Sequence, residues 1–395
     1  MHRWSVPALA GLVLALPVLA QAAADTTAVS QREATLLQRV TVTGSSGRAA
    51  RLPGSATKVD AKALDAQNPV FDDINRVLLR VPGVTVIEEE GFGLRPNIGL
   101  RGSGSERSAN ITLMEDGVLA APAPYAAPAA YYFPAMGRMN GLEVRKGSSQ
   151  VRFGPRTNGG AVNVLSTPIP RTLGGVANVS GGDFGTRKAL LNLGDSRENF
   201  GWLAETFQLT TTGFKELDGG GNTGFELGDY LGKFRVNTDA SAEVYHEFTL
   251  KGGYTKQDGR ETYLGLTPDD FAATPYRRYA GSQRDNMDTE HWTRQGRYFL
   301  ETGSGFDLTA TAYVNRFKRN WYKLDRVAGT GIASILADPE TYADEMAIIR
   351  GDSASVGADL AVKANNRRYW AYGLEATAGA SVMSIRPLCA STMCL

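Results

Sequence analysis

Arginine and tyrosine side chains are concentrated between positions 258 and 292, where they could bind an anion. The residues concerned are Arg260, Tyr263, Tyr276, Arg277, Arg278, Tyr279 and Arg284. A guanidinium group meets a carboxylate through two parallel hydrogen bonds, so this composition favours a carboxylate-rich or phosphate-bearing molecule. The same arginines could instead bind carboxylates on the surface of the protein or phosphates outside it, and both interpretations stay open.

Side chains that could carry out covalent or metal chemistry are scarce. The 395 residues include two cysteines, Cys389 and Cys394, and three scattered histidines, His2, His246 and His291. This spacing predicts neither a disulfide framework nor a metal site. No Ser-His-Asp set or pair of catalytic carboxylates can be assigned, and the carboxylates at 88–90 are expected to be solvated in a loop. We therefore predict no catalytic residues, no bound metal, no cofactor and no enzyme activity.

The first residues have the plan of an export signal. His2 and Arg3 precede an apolar run from Val6 to Leu19, and small residues follow at 20–24. A basic start, an apolar core and a small-residue exit are typical of a signal peptide. The alternative is an anchor helix, but the run is shorter than the span of about 20 residues that a bilayer requires. We predict that residues 1–24 are a signal peptide and that the mature chain is exported.

Residues 52–170 have the mixed pattern of a compact α+β domain. Ile74, Val77, Leu78 and Val81 recur at helical spacing within 71–81, and a Pro-Gly pair at 82–83 ends that helix. Short strands are expected at 84–87, 98–101, 111–115, 142–145 and 162–165. Asp116-Gly117 supplies a tight turn.

Residues 171–395 alternate between apolar and polar side chains in segments separated by Gly, Asp and Asn. Phe248, Leu250 and Tyr254, for example, alternate with Thr249 and Lys251, and similar segments lie at 229–237, 308–315 and 370–375. Such alternation over about ten residues is typical of membrane β-barrel strands, although a soluble β-sandwich gives the same pattern. The net charge of +1 argues against a nucleic-acid partner.

Several motifs resemble the plug domain of TonB-dependent outer-membrane receptors. They are Pro82-Gly83-Val84, Ile98-Gly99-Leu100-Arg101-Gly102, Leu113-Met114-Glu115-Asp116-Gly117, Gly141-Leu142-Glu143-Val144-Arg145-Lys146-Gly147, Arg152-Phe153-Gly154-Pro155 and Asn158-Gly159-Gly160. Within the family, the segments 123–128, 151–155 and 263–279 look most like the ferric dicitrate receptor group. The resemblance spans about Pro53 to Pro168.

The resemblance implies an α+β plug domain inside an antiparallel transmembrane β-barrel of roughly 22 strands. It also implies high-affinity uptake of a ferric chelate, ferric citrate or a siderophore, across the outer membrane of a Gram-negative bacterium. The chelate is the transported ligand. Cobalamin or another scarce ligand is the alternative, because such receptors share the plug motifs.

The ligand would be captured at the mouth of the barrel by groups that suit an anionic chelate. We expect Tyr125 on the plug and Arg277, Arg278 and Arg284 on the barrel as ligand contacts. Tyr125 could instead belong to a rigid loop that only packs, and the arginines could bind lipopolysaccharide phosphates. The plug motif residues carried over are Arg101, Gly102, Asp116, Gly117, Glu143, Lys146, Gly147 and Gly154. Arg101 is expected to be buried at the plug–barrel boundary beside a carboxylate, because an unpaired buried charge is costly.

Residues 25–51 are predicted to be a periplasmic tail that contains a TonB box. Val40, Thr41, Val42 and Thr43 form a β-branched stretch that could add a strand to the sheet edge of another protein. The resemblance names that protein as TonB, working with ExbB and ExbD. Its other implied partners are outer-membrane lipid and lipopolysaccharide, and the receptor is expected to be a monomer.

The length of the second region conflicts with a whole barrel. A barrel of roughly 22 strands needs on the order of 450 residues, about twice what positions 171–395 supply. We therefore expect only about half of such a barrel, with 379–395 as an out-of-frame tail. Three possibilities stay open: the N-terminal half of a receptor, a non-transporting fragment, or a closed barrel of about ten strands acting as a pore or adhesin.

Overall fold

The computed structural model describes residues 55–60, 64, 73–120, 132–147, 159–260, 262–354 and 359–380. Its strands in chain order are β1 (Ser55–Asp60), β2 (Val84–Ile87), β3 (Asn97–Leu100), β4 (Ile111–Glu115), β5 (Val118–Leu119), β6 (Met139–Lys146), β7 (Gly160–Ser166), β8 (Gly174–Gly182), β9 (Thr186–Ser196), β10 (Phe200–Thr211), β11 (Glu216–Leu217), β12 (Phe225–Asn237), β13 (Val244–Gly259), β14 (Arg277–Arg278), β15 (Asn286–Thr302), β16 (Phe306–Val327), β17 (Thr330–Gly331), β18 (Leu360–Ala364) and β19 (Arg367–Ala380). The helices are α1 (Ile74–Leu78), α2 (Pro268–Ala273), α3 (Ile332–Ala337) and α4 (Ala343–Arg350).

The first unit, which we call the plug, is built on a five-stranded sheet with the order β1-β6-β7-β4-β5. β4 and β7 are parallel, and the other neighbours are antiparallel. Leu142 and Val144 on β6 and Val162 and Val164 on β7 are buried in one apolar core. The sheet therefore supplies the rigid support for the motifs at its strand ends.

Helix α1 covers one face of this core. Ile74, Val77 and Leu78 are fully buried, as their spacing predicts. Asp73 begins the helix, because its side chain accepts a hydrogen bond from the backbone N–H of Asn75 at 2.8 Å. The helix is shorter than the predicted pattern at 71–81, because it ends at Leu78. Val81 precedes a proline, and a residue in that position disfavours helical geometry.

The second unit is a ten-stranded antiparallel sheet. Its main path runs β17-β16-β15-β13-β12-β10-β9-β8, and β18 and β19 also pair with β16. The predicted alternation is present on β12. Tyr230 and Phe234 are exposed, whereas Asp229, which points to the opposite face, is 1% exposed. One face of the sheet is therefore outward and apolar, and the other, which carries charged residues such as Asp229 and apolar residues such as Phe207, is directed at the plug.

Connections differ between the two ends of this sheet. Short turns at 197–199, 238–243 and 303–305 lie at one end, which we call the short-turn end. Connections at 212–224, 260–285 and 328–366 lie at the other, the long-loop end. α2, α3 and α4 belong to these long connections, and Leu264, Tyr279, Ile335 and Ile349 form a small core there with the end of β16. No helix in the described part of the chain is both long and apolar enough to cross a lipid bilayer.

Candidate functional site

A cluster of buried charges joins the plug to the inner face of the sheet. Arg138, the last residue of a 3-10 turn that leads into β6, donates two hydrogen bonds to Glu115, at 2.9 Å from Nη1 and 3.1 Å from Nη2. Its Nε lies 2.5 Å from Oδ1 of Asp229 on β12. One plug arginine therefore pairs with a carboxylate of its own unit and with one of the sheet.

Lys251 on β13 completes this boundary cluster from the other side. Its Nζ lies 2.6 Å from Oε1 of Glu115 and 2.6 Å from Oδ2 of Asp116. Burial by itself raises the pKa of the Glu115 carboxyl, but Arg138 and Lys251 lower it to about 2. Burial likewise opposes ionisation of Asp116, but Lys233 and Lys251 hold its pKa well below the usual range. Both carboxylates are therefore ionised at neutral pH and hold the plug to the sheet.

Three predicted plug-motif residues meet beside this cluster. Asp116 and Gly117 form the turn between β4 and β5, with φ angles of 49° and 84°. The positive φ at Gly117 suits glycine, and its N–H donates to Oδ1 of Asn163 at 2.9 Å. Asn163 in turn donates to the buried Glu143 at 3.3 Å. The motif therefore fixes the turn that presents Asp116 to the sheet.

The expectation of a buried Arg101 is wrong. Arg101 is exposed, with a φ of 53°, in the turn after β3, and Gly102 beside it is exposed as well. Lys146, by contrast, is buried and donates from Nζ to the carbonyl oxygen of Pro82 at 2.5 Å. Gly147 after it has a φ of 96°. Arg138 is instead a buried arginine at the boundary, and its partner on the sheet is Asp229.

Aromatic and amide contacts extend the boundary on either side of the charges. The Tyr132 ring lies 4.1 Å from the ring of His291 and 5.9 Å from that of Phe317, centroid to centroid. Nδ2 of Asn315 donates to the carbonyl oxygen of Leu119 at 2.7 Å. Sequence reasoning missed these residues, although their inward positions on alternating strands were the available signal.

A cavity of about 410 Å³ lies at the long-loop end, between the plug and the long connections. We call it the apical cavity, and its charged and aromatic walls are Glu88, Glu89, Glu90, Arg95, Glu106, Arg107, Lys215, Tyr263 and Trp321. Burial and the neighbouring Arg278 lower the pKa of Lys215 to about 8. The cavity therefore offers carboxylates, cations and aromatic rings to one ligand.

The carboxylates at 88–90 are only partly as expected. Glu88 and Glu89 are exposed, but Glu90 is buried and accepts hydrogen bonds from the backbone N–H groups of Leu94 and Arg95. Glu90 therefore shapes the plug loop that forms one wall of the apical cavity. Among the described residues, no group of three or more His, Cys, Asp or Glu side chains is arranged to hold a metal ion.

A second cavity of about 370 Å³ adjoins the first through Thr262, which lines both. We call it the glycine-loop cavity, because Gly219, Gly220 and Gly221 form one wall. Arg284 lines this cavity and is exposed. The structure thus places one predicted ligand contact at a cavity.

Arg277 and Arg278 have partners within the protein. Nε of Arg277 lies 2.9 Å from Asp218, and its Nη1 lies 3.3 Å from Asp270. Nη1 of Arg278 donates to the carbonyl oxygens of Pro275 and Arg277. For Arg277, the pairing corresponds to the second interpretation of the sequence, in which the guanidinium binds protein carboxylates.

Other predicted residues lie outside the described part of the chain. They are the signal peptide at 1–24, the TonB box at Val40, Thr41, Val42 and Thr43, the plug residues Tyr125 and Gly154, and the tail from 381 with both cysteines. Their predicted roles stay predictions.

A plug joined by buried ion pairs to the inner face of an antiparallel sheet, whose outward face is apolar, defines the class of plugged β-barrels. Residues 48–161 match the family model described as the TonB-dependent Receptor Plug Domain. Over these residues, the chain has the plug domain of the TonB-dependent receptors.

Several solved structures have the same fold as this chain. The ferric citrate transporter FecA in its unliganded form is 23% identical, with a TM-score of 0.58, over 69% of this chain and 41% of that one. The ferric yersiniabactin uptake receptor FyuA from Yersinia pestis is 16% identical, with a TM-score of 0.52, over 68% and 42%. The ferric-catecholate import receptor Fiu from E. coli K12 is 13% identical, with a TM-score of 0.55, over 84% and 47%. The predicted fold, a plug inside part of an antiparallel barrel, is confirmed, and the chain spans less than half the length of these structures.

Proposed function

We propose that the chain is a TonB-dependent outer-membrane receptor that binds a ferric chelate, either ferric citrate or a siderophore, and delivers it to the periplasm. The observation that carries this proposal is the pair of adjoining cavities at the long-loop end, of which the apical cavity lies between the plug and the long connections. The plug family match and the transport of ferric chelates by FecA and FyuA support it. The long-loop end would face the exterior and the short-turn end the periplasm.

The ion pairs of the boundary cluster would couple a pulling force from TonB to release of the ligand. TonB, energised by ExbB and ExbD, would pull on residues 40–43 and draw the plug away from the sheet. Arg138 and Asp116 would then separate from Asp229 and Lys251, so the cavity walls formed by the plug would leave those formed by the loops. The ligand would lose contacts on one side, which is the differential binding that transport requires.

Ferric citrate fits the cations of the two cavities. Arg284 and Arg260 line the glycine-loop cavity, and Lys215 and Arg107 line the apical cavity. Guanidinium groups suit a carboxylate-rich anion. A ligand such as cobalamin would depend on these cations far less.

A titration of ferric citrate tests the proposal. Purified chain in detergent is first checked for compact migration before boiling, and the iron complex is then titrated by calorimetry. Arg284→Gln should weaken binding by about tenfold, as loss of a charge-assisted hydrogen bond would. Arg197→Gln is the matched control, because Arg197 is exposed at the short-turn end and pairs with Asp195. Equal affinity in both variants would exclude the glycine-loop cavity as the ligand site.

The second candidate is a receptor fragment that does not transport. It is favoured by the length comparison, since the chain spans 41% of the FecA structure. Uptake of radiolabelled ferric citrate by cells that express only this chain separates the two. Binding without uptake would support the fragment, and uptake would exclude it.

A further inference from the structure

Inward-facing side chains of β12, β13 and β15 form rows across the sheet near its short-turn end. The strand register aligns Lys233 with Lys251 and Gln295 in one row, and Arg235 with Thr249 and Arg297 in the next. Each row therefore contains two cationic side chains.

The first row contains a carboxylate supplied by the plug. Lys233 and Lys251 stand directly opposite each other, a pairing of like charges that destabilises neighbouring strands. Oδ2 of Asp116 lies 2.6 Å from Nζ of Lys251 and 3.6 Å from Nζ of Lys233. Asp116 therefore shows the chemistry that this part of the wall accepts, which is a carboxylate placed between two cations.

In the second row, no carboxylate of the described plug residues pairs with the arginines. Nε of Arg235 is buried without a hydrogen-bond partner among the described residues, and its Nη2 reaches only Ser196 Oγ at 3.4 Å. Arg297 is attracted by Glu247 and Asp116, but no described residue accepts a hydrogen bond from it. The second row thus contains two cations, as the first row does, but no carboxylate lies between them.

A cavity of about 100 Å³ lies beside these two rows, against Pro168 and Ile169 of the segment that leaves the plug. We call it the short-turn cavity. Its lining includes four cations, Lys233, Lys251, Arg235 and Arg297, but only two carboxylates, Asp116 and Glu247. The excess of positive charge stands in a partly enclosed space, where screening by solvent is weak.

We propose that the short-turn cavity is an anion-binding site that takes a carboxylate or phosphate group of a small anion. The anion accepts hydrogen bonds from Arg235 and Arg297. It would lie between these two arginines as Asp116 lies between the two lysines of the first row. The volume suits one anionic group rather than an iron chelate, so this site is distinct from the two cavities at the long-loop end. It does not depend on which ligand those cavities bind.

Movement of the plug strengthens the site. When Asp116 leaves with the plug, Lys233 and Lys251 lose their carboxylate and add two cations to the cavity. An anion consequently binds more tightly when the plug is displaced, and by reciprocity its binding favours displacement. This coupling rests on the plug motion in the proposed function, whereas the site itself does not.

Calorimetric titration of the purified full chain in detergent tests the site. The probes are inorganic phosphate and iron-free citrate, each titrated at a constant ionic strength set with sodium chloride. Saturable binding is expected, and Arg297→Gln or Arg235→Gln should weaken it by about tenfold. Glu247→Gln should tighten binding, because it removes a competing carboxylate. A stronger response to citrate identifies a carboxylate ligand, and a stronger response to phosphate identifies the inorganic ion.

Lys318→Gln is the matched control, because Lys318 lies on β16, pairs with Glu290 and does not line the cavity. Its affinity should equal that of the parent chain. Absence of saturable binding by both probes would overturn the proposal. So would equal weakening by Lys318→Gln and Arg297→Gln, which would indicate a general charge effect. Compact migration before boiling shows for each variant that the fold is intact, and two separate arginine variants guard against one that fails to fold.

Discussion

Arg138 is the residue on which two buried carboxylates from different units depend. It pairs with Glu115 on the plug and Asp229 on the sheet, and all three side chains are almost fully buried. A buried ion pair contributes less than its short distances suggest, because desolvation offsets much of the attraction. Its removal is nevertheless costly, since the partners stay buried without a counter-charge.

Arg138→Met is therefore expected to destabilise seating of the plug by about 3–5 kcal/mol. The denaturant dependence of plug proteolysis in the detergent-solubilised chain measures this free energy. The control is Arg197→Gln, which removes an exposed pair with Asp195 and should cost less than about 1 kcal/mol. Similar losses for both variants would mean that the boundary cluster does not hold the plug.

Lys215 is the residue that should make ligand binding depend on pH. Burial and Arg278 lower the pKa of this lysine to about 8, so the ammonium is charged at pH 7 and mostly neutral at pH 9. Because Lys215 lines the apical cavity, affinity for an anionic chelate should fall about fivefold between pH 7 and pH 9. This corresponds to a loss of roughly 1 kcal/mol of binding free energy.

Lys215→Arg separates this effect from others in the same pH range. Arginine keeps its charge at pH 9, so the variant should bind ferric citrate almost equally at both pH values. Calorimetry at pH 7 and pH 9 compares it with the parent chain. An unchanged pH dependence in the arginine variant would assign the titration to another group.

Single residues were predictable where a backbone conformation demanded them. Asp116-Gly117 was identified as a turn because the pair suits positive φ, and the structure has that turn. Arg138 was missed because its function depends on Asp229, which lies 91 positions away and meets it only after both units fold. Arg101 was misplaced because a motif gives a residue type but not the direction of its side chain.

Among the elements, Asp270 in α2 joins two long connections of the sheet. Its carboxylate accepts hydrogen bonds from Tyr279 at 2.5 Å and from Nη2 of Arg350 on α4 at 2.7 Å. Arg277 pairs with the same carboxylate. Connections 260–285 and 328–354 are therefore linked through one side chain as well as through their shared apolar core.

Asp270→Asn should loosen these connections without unfolding the sheet. The amide keeps one acceptor but loses the charge that attracts Arg350 and Arg277. Hydrogen exchange of α4 should become faster by about fivefold to tenfold, corresponding to the loss of one charged hydrogen bond. Asp269→Asn is the control, because Asp269 is the exposed neighbour in the same helix. Equal exchange in the two variants would contradict the role of Asp270.

Elements were predictable where one periodicity persisted. The strands of the ten-stranded sheet alternate over many residues, and the pattern at 229–237 and 246–255 corresponds to β12 and β13. The helices α2, α3 and α4 were not predicted, because they have six to eight residues and pack on a core formed by distant connections. Short helices are stabilised by such packing more than by their own sequence.

On the scale of the whole molecule, the order of the units was predictable and their contacts were not. A plug pattern followed by an alternating pattern gave the fold class, which the structure bears out. The boundary between the units depends on Glu115 and Asp116 meeting Lys251, which lies 136 and 135 positions further along the chain. No local pattern specifies such a pairing.

Transport by the whole molecule should require residues 40–43, whereas ligand binding should not. The TonB box is predicted to add a strand to a sheet edge of TonB, and such pairing depends on backbone N–H groups. Val42→Pro removes one N–H group and restricts the backbone, so uptake of ferric citrate by cells should be lost while calorimetric affinity stays unchanged. Thr27→Pro, in the same predicted tail, should leave both unchanged. Uptake by the Val42→Pro variant at the parental rate would show that this segment does not receive the force. Loss of binding in that variant would instead show that the tail supports the fold, because the cavities proposed for the ligand lie at the far end of the sheet.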